Sequence, residues 1–411
     1  MTHPVPRILL ALGLLSLLLG CGGAPKTTTA ETAAPTPASE SAVCNPPACL
    51  LPQAAPPGGL DPASVPMFVA LGFDDNGVVG DKTPGAEEAM SWALAMFGAR
   101  KNPDGTSTAA TFYLTTSYGA GGETGYGDGD AQANPAVIRM WRDLHAAGHE
   151  IGNHTHTHPH GTEMTVAQWR SEMQRAAAVL TGAVGSEDAL AVGLDPNQPV
   201  GFRTPFLEYN DNTFTAVRQE GFAYDCSIEE GYQSGQDGTN FLWPYTLDEG
   251  SPGHDVQVSW GSRAPLTRHP GLYEMPVYVF IAPPDELCEQ YGVPQGLRDR
   301  LKQRQDYLDA ADGKITGFDY NLWALFQMSG DEVLATLKYT FDMRMKGNRA
   351  PFLLGMHSDM YAAEYAESLA ATPQERRAAI EKFLDYALSH PQVRVVPVRD
   401  VLDWIKSPAP L

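Results

Sequence analysis

From Met67 to the end of the chain, short apolar runs alternate with segments whose apolar residues recur at helical spacing. "MFVALGF" (67–73) is brief and continuously apolar, as a strand buried on both faces would be, whereas "AEEAMSWALAMFG" (86–98) repeats every three to four residues and predicts a helix. The alternation continues with a strand in "AATFYLTT", a helix in "PAVIRMWRDLHAAG", a short strand in "HEIGN" and a helix in "TVAQWRSEMQRAAAVL". Later members are "VGFRTP", "NTFTAVRQEG", "YEMPVYVF", "DEVLATLKYTFDMRM", "PFLLGMH" and "VRVVPV". The last long helix is signalled by a capping-box start at Thr372, Pro373 and Glu375, with a stripe of Ile380, Phe383, Leu384, Ala387 and Leu388. Repeated strand–helix units without a glycine-rich nucleotide fingerprint after the first strand predict a parallel (β/α) barrel rather than a Rossmann sheet. Three stretches interrupt the pattern: a Gly-rich loop at 117–134, a long loop at 229–255, and a mixed, helix-containing insertion at 282–330. On a barrel, loops that follow strands form the rim of the active site.

The N-terminus reads differently. One Arg precedes an apolar run from Ile8 to Leu19, too short to span a bilayer and arranged as an export signal. Leu18-Leu19-Gly20-Cys21 resembles a bacterial lipobox, which implies removal of residues 1–20 and lipidation of Cys21. Residues 21–65 begin rich in Ala, Thr, Pro and Ser, and they read as a flexible tether carrying a Cys44/Cys49 loop. A single folded domain is expected over 66–407. These features place the protein on a bacterial cell envelope, lipid-anchored and facing the periplasm or the exterior. The formal charge of −21 argues against nucleic acid as a partner and suits a neutral or cationic substrate. With Cys21 acylated, Cys44 and Cys49 are close enough to pair, and Cys226 and Cys288 either pair or stay free.

Polar residues gather at strand ends. Asp74 and Asp75 close the first strand, His154 and His158 follow the third, Arg203 ends "VGFR" and His357 ends "PFLLGMH". In a parallel barrel these ends converge on one face. The stretch "GHEIGNHTHTHPHG" (148–161) holds five of the eleven histidines. His154 and His158, four apart, would point the same way on a helical turn, as a metal pair requires. His156 points elsewhere on that geometry, His160 lies beyond Pro159, and His149 reads as structural. Two imidazoles and a carboxylate from a neighbouring strand end would leave a position open for water, the mark of a catalytic rather than a structural metal site.

At these residues the chain resembles the polysaccharide deacetylases, carbohydrate esterase family 4. "FDD", "HTHTH", "RTPF" and "GMH" stand in the order of that family's motifs, and "CNPPACLLP", "NPDG", "WPYTLDEG", "HPGLYEMP" and "NRAPF" are similar to stretches of animal chitin deacetylases. The resemblance implies a distorted (β/α) barrel and a metal site of Asp75, His154 and His158 for zinc or another divalent ion such as cobalt. It implies Asp74 as general base, His357 as general acid and Arg203 as the residue holding the base. Phe206 would stabilise the oxyanion through its N–H, Trp243 would line the acetyl-methyl pocket, and Asp225 would orient His357 or Arg203. The implied reaction removes N-acetyl groups from N-acetylglucosamine glycans: chitin oligomers, peptidoglycan or an exopolysaccharide. Two other readings are an O-acetyl esterase acting on xylan or another glycan, and a glycan-binding lipoprotein without turnover. The chain departs from the pattern at Ala54, where a further Cys is expected, and at Gly355, where the family's methyl pocket carries a larger residue.

Overall fold

The computed structural model describes residues 44–77, 86–118, 129–131, 135–182, 191–363, 365 and 368–411. The first strand, β1 (Met67–Asp74), is buried along its whole length, which its unbroken apolar run requires and which central parallel strands show. Eight more strands join it in one sheet: β2 (Thr111–Leu114), β3 (Glu150–Asn153), β4 (Gly201–Phe202), β5 (Tyr224–Asp225), β6 (Tyr245–Thr246), β7 (Tyr273–Glu274), β8 (Phe352–His357) and β9 (Val393–Val395). Their order is β8-β1-β2-β3-β4-β5-β7-β6, with β9 paired to the start of β1. Every pair is parallel except β7 with β6. Among the described residues no pairing joins β8 to β6, so the curled sheet with its surrounding helices is a half-barrel, the distorted parallel (β/α) barrel expected.

Helices α1 (Ala86–Gly98), α2 (Pro135–Ala146), α3 (Val166–Thr181) and α4 (Asp211–Glu220) alternate with the first strands, and α5 (Pro252–Ser259) begins inside the stretch read as a long loop and runs past its end. Both α3 and α4 start with reciprocal capping boxes, Thr165 with Gln168 and Asn210 with Thr213. The helix at Pro373–Leu388 has the expected one, Thr372 with Glu375. Most of the Gly-rich stretch at 117–134 lies outside the described residues; of the part that is described, Ser117–Tyr118 pairs with Gly129–Asp130. No helix among the described residues is long and apolar enough to cross a membrane.

The tether reading needs correction. Residues 1–43 lie outside the described residues, but from Cys44 onward the chain belongs to the compact unit. Cys44 and Cys49 form a disulfide. Leu50 then exchanges backbone and hydroxyl hydrogen bonds with Thr246 of β6, Gln53 accepts from the Trp243 N–H, and Asn348 donates to the Ala54 carbonyl. Sequence composition hid this because the segment is held by its backbone rather than by an apolar stripe. Cys226 and Cys288 are free and buried.

Arg349 adds two more pins, donating to the carbonyls of Ala63 at 3.0 Å and Val65 at 2.6 Å. Arg349→Ala leaves the Val65 carbonyl buried without its donor, which should cost about 1–3 kcal/mol. Urea denaturation should show a lower midpoint at unchanged slope, and an unchanged midpoint would exclude the segment from the cooperative unit.

Candidate metal centre and active site

Adjacent residues on a strand point to opposite faces, so Asp74 and Asp75 should not reach one site. They do because β1 ends at Asp74. Asp75, Asn76 and Gly77 then take left-handed backbone conformations, with φ of 67°, 58° and 68°. Asn76 secures this reversal, its side-chain N–H groups bonding the carbonyls of Phe73 at 2.7 Å and Tyr113 at 3.0 Å. The reversal swings the Asp75 carboxylate toward the histidines.

Those histidines are brought together, but not on a helical turn. His154 to His158 form an irregular loop in which Thr155 and His158 have positive φ, 71° and 55°. Buried Glu172 of α3 accepts from the N–H groups of His156 and Thr157 at 3.1 and 2.7 Å, and Asn153 accepts from Thr155. Neither pinning residue was anticipated. Glu172 had a signal: an acid beside Trp169, Met173 and Ala176 on the buried face of α3. Of the remaining ring nitrogens, His149 Nδ1 accepts from the Ala110 N–H, and burial lowers its pKa to about 4, which fits a structural role. The His156 ring bonds Thr116, and the His160 ring bonds Glu208.

Asp75, His154 and His158 present one ligand atom each within 4.8 Å of one another, all on buried side chains. Asp75 Oδ1 lies buried, 3.1 Å from His158 Nε2 and 3.4 Å from His154 Nε2. Because Nδ1 of His154 meets the Arg203 carbonyl at 2.8 Å, and a carbonyl can only accept, that nitrogen carries the proton. Burial lowers the His154 pKa, favouring the neutral ring, whose Nε2 then turns a lone pair toward the carboxylate. Lone pairs facing one another in a dry site call for a cation. The donor set of one carboxylate and two imidazoles suits a divalent metal in an open catalytic site.

Asp74 turns to Arg203, whose Nη1 donates to Oδ1 at 2.7 Å with both side chains buried. On the neighbouring strand β8, His357 is the direct register partner of Asp74. Its ring Nδ1 lies 2.8 Å from Asp319 Oδ1, and its backbone N–H donates to Asp319 Oδ2 at 2.9 Å. Burial works to lower the His357 pKa, but the Asp319 carboxylate overrides it and pushes the value up to about 10. Asp319 was missed, hidden in the 282–330 stretch set aside as an insertion. The motif-like feature there is "GFDYN", an acid one residue after a large aromatic.

Of the two alternatives for Asp225 the contact with His357 is not found, and the place expected for Trp243 is overturned. Asp225 does not touch His357: it accepts from the N–H and hydroxyl of Ser227, and Ser227 Oγ accepts from the N–H of Thr204. Asp225 therefore supports the turn at 204–207 rather than the acid. Trp243 is buried against the ring of Trp404, which packs on Phe68, and its indole N–H donates to the Asn348 carbonyl. Phe68 is six residues before Asp74, about 20 Å along β1, so Trp243 sits at the wrong end of the sheet for an acetyl pocket. Phe206, by contrast, is at the site, its ring 4.5 Å from that of His158 and its own φ 56°. The Gly355 departure has a partner: a Cβ there would come within 2.5 Å of the Phe318 ring, which fills that space between His357 and Arg203.

Residues 104–224 match the family model for polysaccharide deacetylases. The chain carries a polysaccharide deacetylase domain. The match takes in His154, His158, Arg203 and Phe206, whereas Asp74, Asp75, Asp319 and His357 lie outside it. Over 357 residues the chain is 24% identical to chitin deacetylase 1 of Bombyx mori, covering 86% of this chain and 53% of that protein, so it spans about half that relative's length. It is also 24% identical over 378 residues to chitin deacetylase 8 of the same species, covering 92% of this chain and 80% of the relative. A solved structure of a candidate polysaccharide deacetylase from Mycobacterium smegmatis aligns with a TM-score of 0.48 at 18% identity, covering 87% of this chain and 95% of that one.

The Asp319 contact with His357 is directly testable. Asp319→Asn removes the main influence that raises the His357 pKa, so the imidazole should titrate well below about 10 and closer to an ordinary histidine. NMR titration of the His357 ring would read this, and an unmoved pKa would show that Asp319 does not control it.

Proposed function

We propose that the chain is a divalent-metal-dependent deacetylase that removes N-acetyl groups from N-acetylglucosamine glycans such as chitin oligomers, peptidoglycan or an exopolysaccharide. One observation carries the reading: Asp74 and His357 are register partners, one bonded to Arg203 and the other to Asp319, beside a set of three candidate ligands. Amide hydrolysis needs this combination, because water must lose a proton as it attacks and the amine must gain one as it leaves. The substrate class is supported by the two Bombyx mori relatives, both of them chitin deacetylases.

Asp75, His154 and His158 would hold the metal, with zinc or cobalt as the expected ion. When bound, it supplies Lewis acidity that polarises the acetyl carbonyl and makes water nucleophilic near neutral pH. Arg203 fixes Asp74 by Oδ1, which leaves Oδ2 to take up the proton of the attacking water. The Phe206 N–H, on its left-handed turn, is assigned to the carbonyl oxygen as it becomes negative. His357 donates from Nδ1 to Asp319, leaving Nε2 to deliver its proton to the amide nitrogen as the carbon–nitrogen bond breaks. With its pKa near 10, the ring is protonated at neutral pH and suited to an amine leaving group that cannot depart without a proton. Acetate and a free amine result. By the same reading, Cys21 is lipidated and holds the deacetylase on a bacterial envelope, facing the periplasm or exterior.

The two aspartates should separate cleanly by mutation. Asp75→Ala should lose bound metal and activity together. Asp74→Asn should keep the metal and lose at least about 10²–10⁴ in turnover. Elemental analysis beside acetate release checks both, and a reversal of the two phenotypes would reverse the roles. Loss of turnover in neither variant would remove the deacetylase reading.

The anchor is tested apart from the chemistry. Cys21→Ser should move the protein to the soluble envelope fraction with acetate release unchanged, because stable anchoring needs more than one acyl chain. Equal membrane retention of wild type and variant would exclude the lipid anchor.

A further inference from the structure

Beneath the candidate metal ligands, the barrel interior carries two hydroxyls that packing does not need. Tyr113 of β2 and Tyr224 of β5 are fully buried, and phenylalanine would fill nearly the same space with no polar atom to satisfy. Their hydroxyls bond side chains, each other at 2.9 Å and then Glu150 Oε1, rather than any backbone group among the described residues. They add nothing to the sheet ladder.

Glu150 opens β3, and the groups that bond its carboxylate are donors. Oε2 accepts from the Arg399 N–H at 2.9 Å and the Thr111 hydroxyl at 2.8 Å, and Oε1 accepts from the Tyr224 hydroxyl at 3.0 Å. The Thr111 oxygen itself accepts from the Val398 N–H, which leaves its proton for Glu150. Burial raises the Glu150 pKa, but these three bonds and the Arg399 side chain oppose the rise and favour the carboxylate. With Tyr224 donating to Glu150, its oxygen is left to accept the Tyr113 O–H. The column therefore has one direction, from Tyr113 through Tyr224 to a negative charge.

At the other end of the column the Tyr113 ring faces the guanidinium of Arg203, whose central carbon lies 4.2 Å from the ring centroid. A phenol that donates its proton along a chain ending in a carboxylate becomes more electron-rich, and its face attracts a cation more strongly. Arg203 has need of such support. It donates to the Asp74 carboxylate, the Gly72 carbonyl, and the carbonyl and thiol of Cys226, so Asp74 is the one carboxylate among these partners. Asp74 loses its charge when it takes a proton from water, whereas a guanidinium keeps its own, so the buried cation is stranded once in every turnover. We propose that Glu150, Tyr224 and Tyr113 are positioning residues that hold Arg203 in place while Asp74 carries the proton, with Glu150 as the remote counter-charge. This inference rests on the deacetylase reading for the protonation of Asp74.

Tyr113→Phe and Tyr224→Phe keep the rings and remove one hydroxyl each. Either change should lower kcat for acetate release about three- to tenfold, with KM and metal content unchanged, which is the scale of one buried hydrogen bond. The double variant should lose no more than the worse single one, since either cut breaks the same column. Asp74→Asn imitates the protonated base without any need for turnover. The shift of the urea midpoint caused by Tyr113→Phe should therefore be about twice as large in Asp74→Asn as in the wild type, at matched metal content. Unchanged kcat in both tyrosine variants, losses that multiply in the double variant, or equal midpoint shifts in the two backgrounds overturns the column and leaves the deacetylase reading standing. No acetate release by the wild type removes the deacetylase reading, and the midpoint comparison then decides alone whether the column supports Arg203.

Discussion

The guanidinium of Arg203 has almost no exposed surface, and the centre of the molecule is arranged around it. It enters from the end of β4, bonds Asp74 of β1 at 2.7 Å, and takes the backbone carbonyl and thiol of Cys226, both at 3.0 Å, just beyond β5. The Tyr113 ring of β2 lies 4.2 Å from its central carbon and the Phe318 ring 5.1 Å away. Burying such a charge is expensive, and removing its partner typically costs about 3–5 kcal/mol because the remaining charge is stranded. The pair thus ties four strands to one geometry, and that geometry is the one that aims Asp74.

Room for this arrangement comes from missing side chains. A Cβ on Gly72 of β1 would sit 3.0 Å from both terminal nitrogens of Arg203 and 3.1 Å from Tyr113. On Gly152 of β3 it would meet Tyr113 at 2.5 Å, and on Gly201 of β4 it would meet Tyr224 at 2.1 Å. Glycines on three strands therefore accommodate large residues from their neighbours, and the two tyrosines meet hydroxyl to hydroxyl at 2.9 Å. This is a barrel interior filled by alternating small and large residues, with a charged residue as one of the large ones. The layer lies one step beneath the candidate metal ligands and forms their floor.

This explains what the sequence disclosed and what it withheld. Continuous apolar runs such as "MFVALGF" announce buried strands, and polar residues terminating them announce the face on which they meet, so Asp74, Asp75, His154, His158, Arg203 and His357 were all legible. Asp319 was not, because it sits on an irregular connection with no periodicity to give it an address. Glu172 and Asn153 were missed because they act on backbone N–H groups, which have no sequence pattern of their own. Trp243 was misplaced for the opposite reason: a motif-like neighbourhood suggested a pocket, whereas its indole is used to close the far end of the sheet. Helical spacing correctly paired His154 with His158, although the chain reaches that result through a loop with two left-handed residues.

Backbone strain follows the same geography. Of the eight non-glycine residues with positive φ among the described residues, six are Asp75, Asn76, Thr155, His158, Phe206 and Leu207, all at the candidate site. Such conformations cost of the order of 1–3 kcal/mol each outside glycine, somewhat less for Asp and Asn, and persist only where surrounding contacts over-determine them. The contacts are present at each turn. Asn76 bonds two carbonyls at the first, Asn153 and Glu172 hold three N–H groups at the second, and Asp225 acts through Ser227 on Thr204 at the third. All of these pinning side chains are buried, so water does not compete for their hydrogen bonds. The ligand atoms and the Phe206 N–H are thereby set before any substrate arrives, which is the condition under which a site can stabilise developing charge without reorganising. The strained turns and their buried pins are one device, and neither has a purpose in the fold without the other.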